Sequence, residues 1–198
     1  MPKYTILRSA PPNRVGTHDG DGEEHFPEGS IMVAFALHLL RMGAQHVELH
    51  PDGMHAKHHD IEAQLNTSGF RRLRPGNGSC AGDYQRSGRT LSIDFRSGVG
   101  DVVGTVNGTR VVAECKGGIV NSRHAGATSR LRKGLCEAVG QLIGREQPAG
   151  ERHIAVVPYT RLTATVAERM ARRAIEAGNE LALVKSDGQV VYAQTATG

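Results

Sequence analysis

Asp101, Glu114 and Lys116 are the residues whose types and spacing could do chemistry. They lie in Gly98–Gly118, GVGDVVGTVNGTRVVAECKGG, around an Asn107-Gly108 pair. That pair is a strong hairpin signal, because both central positions of a type I′ turn need positive φ. β-branched residues flank it: Val102, Val103, Thr105 and Val106 before, Thr109, Val111 and Val112 after. With a two-residue loop, Val106 pairs with Thr109, and counting outward sets Asp101 opposite Glu114. Directly opposed residues share a sheet face with Cβ atoms about 4.5–5.5 Å apart, where like charges repel. Alternation puts Lys116 on the face of Glu114 and Cys115 on the other. A divalent cation between the carboxylates would relieve their repulsion, and the Lys116 ammonium would complete a site for a phosphate and a water. The plainer alternative is a solvated strand face. Apolar neighbours (Val102, Val103, Val112, Ala113, Cys115) argue instead for a covered hairpin.

Asp101 followed on the next strand by Glu114-Cys115-Lys116, an E-x-K arrangement, resembles the PD-(D/E)xK nuclease superfamily, also called the restriction-endonuclease-like fold. Gly100 stands where that family typically has a proline. The resemblance implies an α/β fold with an α-βββ-α-β core, a mixed central sheet flanked by helices. It implies Mg²⁺ (or Mn²⁺) held by Asp101, Glu114 and the backbone carbonyl of Cys115, with Lys116 orienting or helping to deprotonate the attacking water. It also implies a 5′-phosphate and a 3′-hydroxyl product, and DNA as the substrate, with RNA left open. Relatives often add a glutamate near the start of the first helix, matched by Glu28, and a polar residue from a later helix, matched by Gln141 with Glu137 as its rival. Glu28 has a plainer role as well, since a carboxylate suits the positive end of a helix dipole.

These residues need elements to position them. Ser30 can cap an apolar helix to Met42, with Gly43 beyond its end. His46–His50 reads as a short strand and 58–67 as a short amphipathic helix. Phe70–Arg89 reads as a glycine- and arginine-rich loop, and Thr90–Phe95 as the strand before the hairpin. Thr128 or Ser129 can cap a helix to about Gly144, with Leu131, Leu135, Val139, Leu142 and Ile143 inward. His153–Pro158 is a continuous apolar run, as in a buried strand. Thr163 can cap a helix to Ala177 with Val166, Met170, Ala174 and Ile175 inward. Leu181–Val184 and Val190–Tyr192 complete the sheet.

The chain has 198 residues and 38% hydrophobic content, which suits one buried domain over 28–198 behind a polar N-terminal arm over 1–27. Few aromatics and no tryptophan exclude a broad base-stacking platform. A net charge of +4 favours a polyanionic partner. Arg71, Arg72 and Arg74 in the loop, Arg123 after the hairpin, and Arg130, Arg132 and Lys133 in the expected first turn of the later helix are candidate phosphate contacts. A solvated surface is the alternative for the loop arginines. Three cysteines give no disulfide framework; Cys115 and Cys136 read as buried small hydrophobes. Met1–Tyr4 lacks an apolar signal region and no stretch is long enough to span a membrane, so the expectation is a cytoplasmic protein without a membrane partner.

Two other functions compete with the nuclease. One is a catalytically silent nucleic-acid-binding or scaffold domain of the same fold. The other is a metal-binding protein centred on His50, His55, His58 and His59, although their spacing matches no zinc-finger or H-E-x-x-H pattern. No separate recognition module accompanies the core, so a homodimer or a recruiting protein is the expected source of specificity.

Overall fold

The computed structural model describes residues 8–9, 24–52, 59–121 and 125–194. Among these, the elements follow in the order β1 (Arg8–Ser9), β2 (Glu24–Phe26), α1 (Glu28–Arg41), β3 (His46–Leu49), α2 (Ile61–Thr67), β4 (Arg71–Pro75), β5 (Gly82–Arg86), β6 (Arg89–Ile93), β7 (Val102–Val106), β8 (Thr109–Cys115), β9 (Gly118–Ile119), α3 (Ala125–Ile143), β10 (Arg152–Pro158), α4 (Arg161–Glu176), β11 (Asn179–Val184) and β12 (Val190–Tyr192). Nine strands form one mixed sheet in the order β12-β11-β10-β8-β7-β3-β6-β5-β4, flanked by the four helices, and β1-β2-β9 form a small second sheet. The fold is α/β. Among the described residues no helix is long and apolar enough to cross a membrane.

The hairpin forms as its sequence predicts. Asn107 and Gly108 have φ of 51° and 81°, the two positive values of a type I′ turn. The pairs run Val106–Thr109, Thr105–Arg110, Gly104–Val111, Val103–Val112 and Val102–Ala113. Outside the hairpin, β8 pairs in parallel with β10, and α3 makes the crossover a parallel pair requires.

Two apolar layers sandwich this part of the sheet. Ile31, Phe35 and Leu39 of α1 pack with Val111, Ala113, Cys115, Ile154 and Val156. On the opposite face Leu135, Ala138 and Leu142 of α3 and Ala167 and Ala174 of α4 pack with Ala155, Val157, Leu181 and Leu183. The alternation along β10, Ile154 and Val156 one way and Ala155 and Val157 the other, is the period-2 rule at work. It explains why that strand reads as unbroken apolar sequence.

Several expected boundaries move. Ser30 lies inside α1, its hydroxyl donating to the Pro27 carbonyl at 2.7 Å; Pro27 is the residue before the helix and supplies no side-chain cap. Residues 24–26 of the expected polar arm form β2, and Phe26 is buried. α3 starts at Ala125, so Arg130, Arg132 and Lys133 fall after its first turn, and Thr128 back-bonds to the Ala125 carbonyl at 2.9 Å. α4 is capped by Thr160 in a reciprocal capping box with Thr163, the geometry of. Ile143 and Ile175 are exposed instead of inward, and Cys136 is exposed instead of buried.

Two differences concern topology. The expected arginine-rich loop is the antiparallel meander β4-β5-β6, closed by a Ser87-Gly88 turn with both φ positive. The strand beside the hairpin is β3 and not β6: β3 lies antiparallel to β7 and parallel to β6. Burial accounts for this order. Val47 and Leu49 are fully buried and supply the apolar floor that α1 needs, whereas the polar strands of the meander suit an edge.

Candidate functional site

Asp101 stands one residue before β7 and is fixed three ways. Its N–H donates to the Ala113 carbonyl at 2.9 Å and its carbonyl accepts from His50 N–H at 2.9 Å. Its carboxylate accepts from the Cys115 N–H at 2.7 Å. Gly100 makes this approach sterically open: its φ is +101°, and a Cβ there would lie 2.6 Å from Val112 Cγ1. Proline, with φ locked near −65°, cannot take that conformation. The glycine at the position where the PD-(D/E)xK pattern has proline therefore has a local cause.

Glu114 is 3% exposed, and its carboxylate is bonded by the Arg145 guanidinium. Arg145 also donates to the Gly98 carbonyl at 2.6 Å. Lys116 leaves β8 with its ammonium 3.1 Å from Glu28 and 3.7 Å from Glu137. The junction of β2 and α1 is pressed against this turn at Gly117, where a Cβ would meet the Phe26 carbonyl oxygen at 2.3 Å and the Glu28 nitrogen at 2.7 Å. Only a glycine lets the first residue of α1 reach Lys116. Glu28, Asp101, Glu114, Lys116, Gln141 and Arg145 all line one cleft of about 430 Å³.

The electrostatics of the cleft are strained. Burial, with the Glu114 and Glu28 carboxylates beside it, pushes the Asp101 carboxyl up to about 7, against the pull of the Cys115 N–H and Lys116. Burial works to lower the Lys116 ammonium, but Glu28, Asp101 and Glu137 outweigh it and hold Lys116 above its ordinary range. Burial raises the Cys115 thiol well above its usual range. Lys116 is thus a firm cation, and Asp101 a carboxyl that gives up its proton reluctantly.

Other candidates lie elsewhere. Arg71, Arg72 and Arg74 are on β4, the far edge strand. Arg72 is bound to Glu62 at 3.1 Å and sits over the Tyr84 ring, and Arg74 pairs with Asp83 at 2.7 Å. Arg130, Arg132 and Lys133 are exposed along α3. Arg123, His55 and His58 lie outside the described residues. His50 is buried against the cleft, with Nδ1 3.0 Å from the Asp94 carbonyl and Nε2 3.3 Å from Glu48. His59 is buried against Gln64 of α2. Among the described residues, no group of three or more His, Cys, Asp and Glu side chains is arranged to hold a metal ion.

The sequence reading missed Arg145, the residue in direct contact with Glu114. It follows α3 directly, where any cation is welcome to the helix dipole, so nothing in the pattern points it inward. Its removal leaves a buried carboxylate without its partner. Arg145→Ala is expected to lose about 3 kcal/mol of stability in urea unfolding, and Glu114→Gln in the same chain to recover most of it. Full stability in the single variant would show that water replaces the guanidinium. Comparison with family models, curated proteins and solved structures finds no match to this chain.

Proposed function

We propose that this chain is a divalent-metal-dependent nuclease of restriction-endonuclease-like fold that hydrolyses phosphodiester bonds, with DNA as the substrate. The observation that carries the reading is the convergence of Asp101, Glu114 and Lys116, with Glu28 and Gln141, on one cleft, from strands whose register was countable in advance. The succession of α1, the β7–β8 hairpin, α3 and a β10 parallel to β8 supports the fold assignment.

The donor set fits a hard cation. Mg²⁺ is usually held by one or two carboxylates, completed by water and substrate phosphate, and Asp101 with Glu114 provides two. The high proton affinity of Asp101 comes first from burial and next from the Glu114 carboxylate beside it, and a cation bound there would offset both. When bound, Mg²⁺ or Mn²⁺ supplies Lewis acidity toward the phosphodiester and its attacking water. Lys116, kept protonated by Glu28 and Glu137, offers a positive charge to the phosphate as negative charge grows on it. This favours charge stabilisation over proton abstraction as its role.

One observation favours a second reading. Arg145 holds Glu114 as a resident cation would, which a catalytically silent nucleic-acid-binding domain could also use. Incubation with supercoiled DNA, linear DNA and single-stranded RNA in Mg²⁺, Mn²⁺ or EDTA separates them. Cleavage that needs metal and vanishes on Asp101→Ala supports the nuclease. Binding without cleavage on any substrate, unchanged by EDTA, supports the silent domain.

A further inference from the structure

A second cavity, of about 760 Å³, opens beside the first over the meander β4-β5-β6, and Phe95 and Arg96 line both. Its charged groups are already matched to one another. Arg74 pairs with Asp83 at 2.7 Å, and Arg96 with Glu48 at 2.9 Å and with Asp94 at 2.6 Å. Asp83 also accepts from Ser92 at 2.6 Å. Two arginines facing three carboxylates leave no net attraction for a phosphate, so this cavity does not continue a backbone-tracking groove. Its distinctive surface is aromatic. Phe95 is 39% exposed, and its ring is backed by Gly78, where a Cβ would lie 2.6 Å from Phe95 Cε2. The rest of the cavity wall carries hydrogen-bonding groups, among them Asn77, Ser92 and His46. A flat heterocycle with polar edges and no charge fits such a wall, and every nucleobase presents a π-face to stack.

We propose that the second cavity receives an unpaired nucleobase, stacked on Phe95, of a strand whose phosphate occupies the adjoining cleft. The inference rests on the nuclease reading and specifies its substrate: a strand unpaired beside the cut, as in single strands, flaps or frayed ends, over a blunt duplex. One exposed ring is enough for one base, and the chain needs no broad aromatic platform.

The test uses the full chain carrying Lys116→Ala, in Mg²⁺, with a short single-stranded DNA containing one 2-aminopurine and the same sequence as a blunt duplex. Stacking quenches the probe's emission. Quenching of the single strand and not the duplex is expected, with Phe95→Ala weakening single-strand binding on the order of tenfold and Phe95→Tyr retaining it. Equal binding by the Phe95→Ala chain, or preference for the duplex, overturns the proposal. Wild-type cleavage of both DNAs, followed in parallel, reports on the nuclease reading separately. If neither DNA is cut while Phe95-dependent quenching persists, the base site stands and the nuclease reading falls. If cutting persists and is indifferent to Phe95, the reverse holds.

Discussion

Lys116→Ala is expected to cut nucleic acid on the order of a thousandfold more slowly than the wild-type chain, in Mg²⁺ and at neutral pH. The expectation follows from the proposed function. Arg145 is engaged by Glu114 and Gly98 at the cleft wall, and Lys116, paired with Glu28 and Glu137, is the cation of the E-x-K arrangement that lines the same cleft. If the chain is the proposed nuclease, removing it leaves charge growing on the phosphate without that cation and takes the Lys116 ion pair from Glu28. Lys116→Arg is expected to rescue little, because a planar fork cannot occupy the place of a compact ammonium. The fold should survive, since the flanking strands are held by ladder hydrogen bonds and Lys116 N–H still donates to the Val156 carbonyl. Single-turnover rates with the three chains, beside their circular dichroism, decide the matter. A folded Lys116→Ala chain cutting at the wild-type rate would remove this residue from the chemistry.

The hairpin was legible because a type I′ turn is a local device: Asn107-Gly108 fixes the register, and each pair follows by counting. Asp101, Glu114 and Lys116 could therefore be brought together from sequence alone. The position of β3 between β7 and β6 could not, because parallel pairing across the length of α2 and the meander leaves no short-range trace. The meander reads as a loop in sequence because Arg71, Arg72 and Arg74 mask its alternation, and the partners of Arg72 and Arg74, Glu62 and Asp83, are visible only once the strands are paired. Helix starts slipped where several hydroxyls competed: Thr160 and Thr163 form one capping box, and either alone reads as the cap. Arg145 was hidden for a different reason. A cation after a helix end explains itself, and only the packing of α3 on β8 and β10 brings it to Glu114.

Asp101→Asn is expected to make the chain more stable at pH 8 and inactive, a combination that separates a functional carboxyl from a structural one. The folded state raises this group from 3.8 to about 7, chiefly by burial and next by Glu114. A carboxyl whose folded value lies above its unfolded one destabilises the native state as it ionises. The cost is absent below about pH 4, grows as pH rises toward about 7, and is complete above it. At about 1.36 kcal/mol per pH unit, its ceiling is about 4 kcal/mol. Asparagine keeps the acceptor for the Cys115 N–H and carries no charge at any of these pH values, so the gap between variant and wild type should open across that window and close at pH 4. Mg²⁺ should narrow it from the other side, raising the wild-type melting temperature at pH 8 and leaving that of Asp101→Asn in place. Melting curves at pH 4, 6 and 8, with and without Mg²⁺, test each part. A variant less stable than wild type throughout would make Asp101 a structural hydrogen-bond acceptor whose charge the fold requires, and the cleft would lose its claim to be strained for a cation.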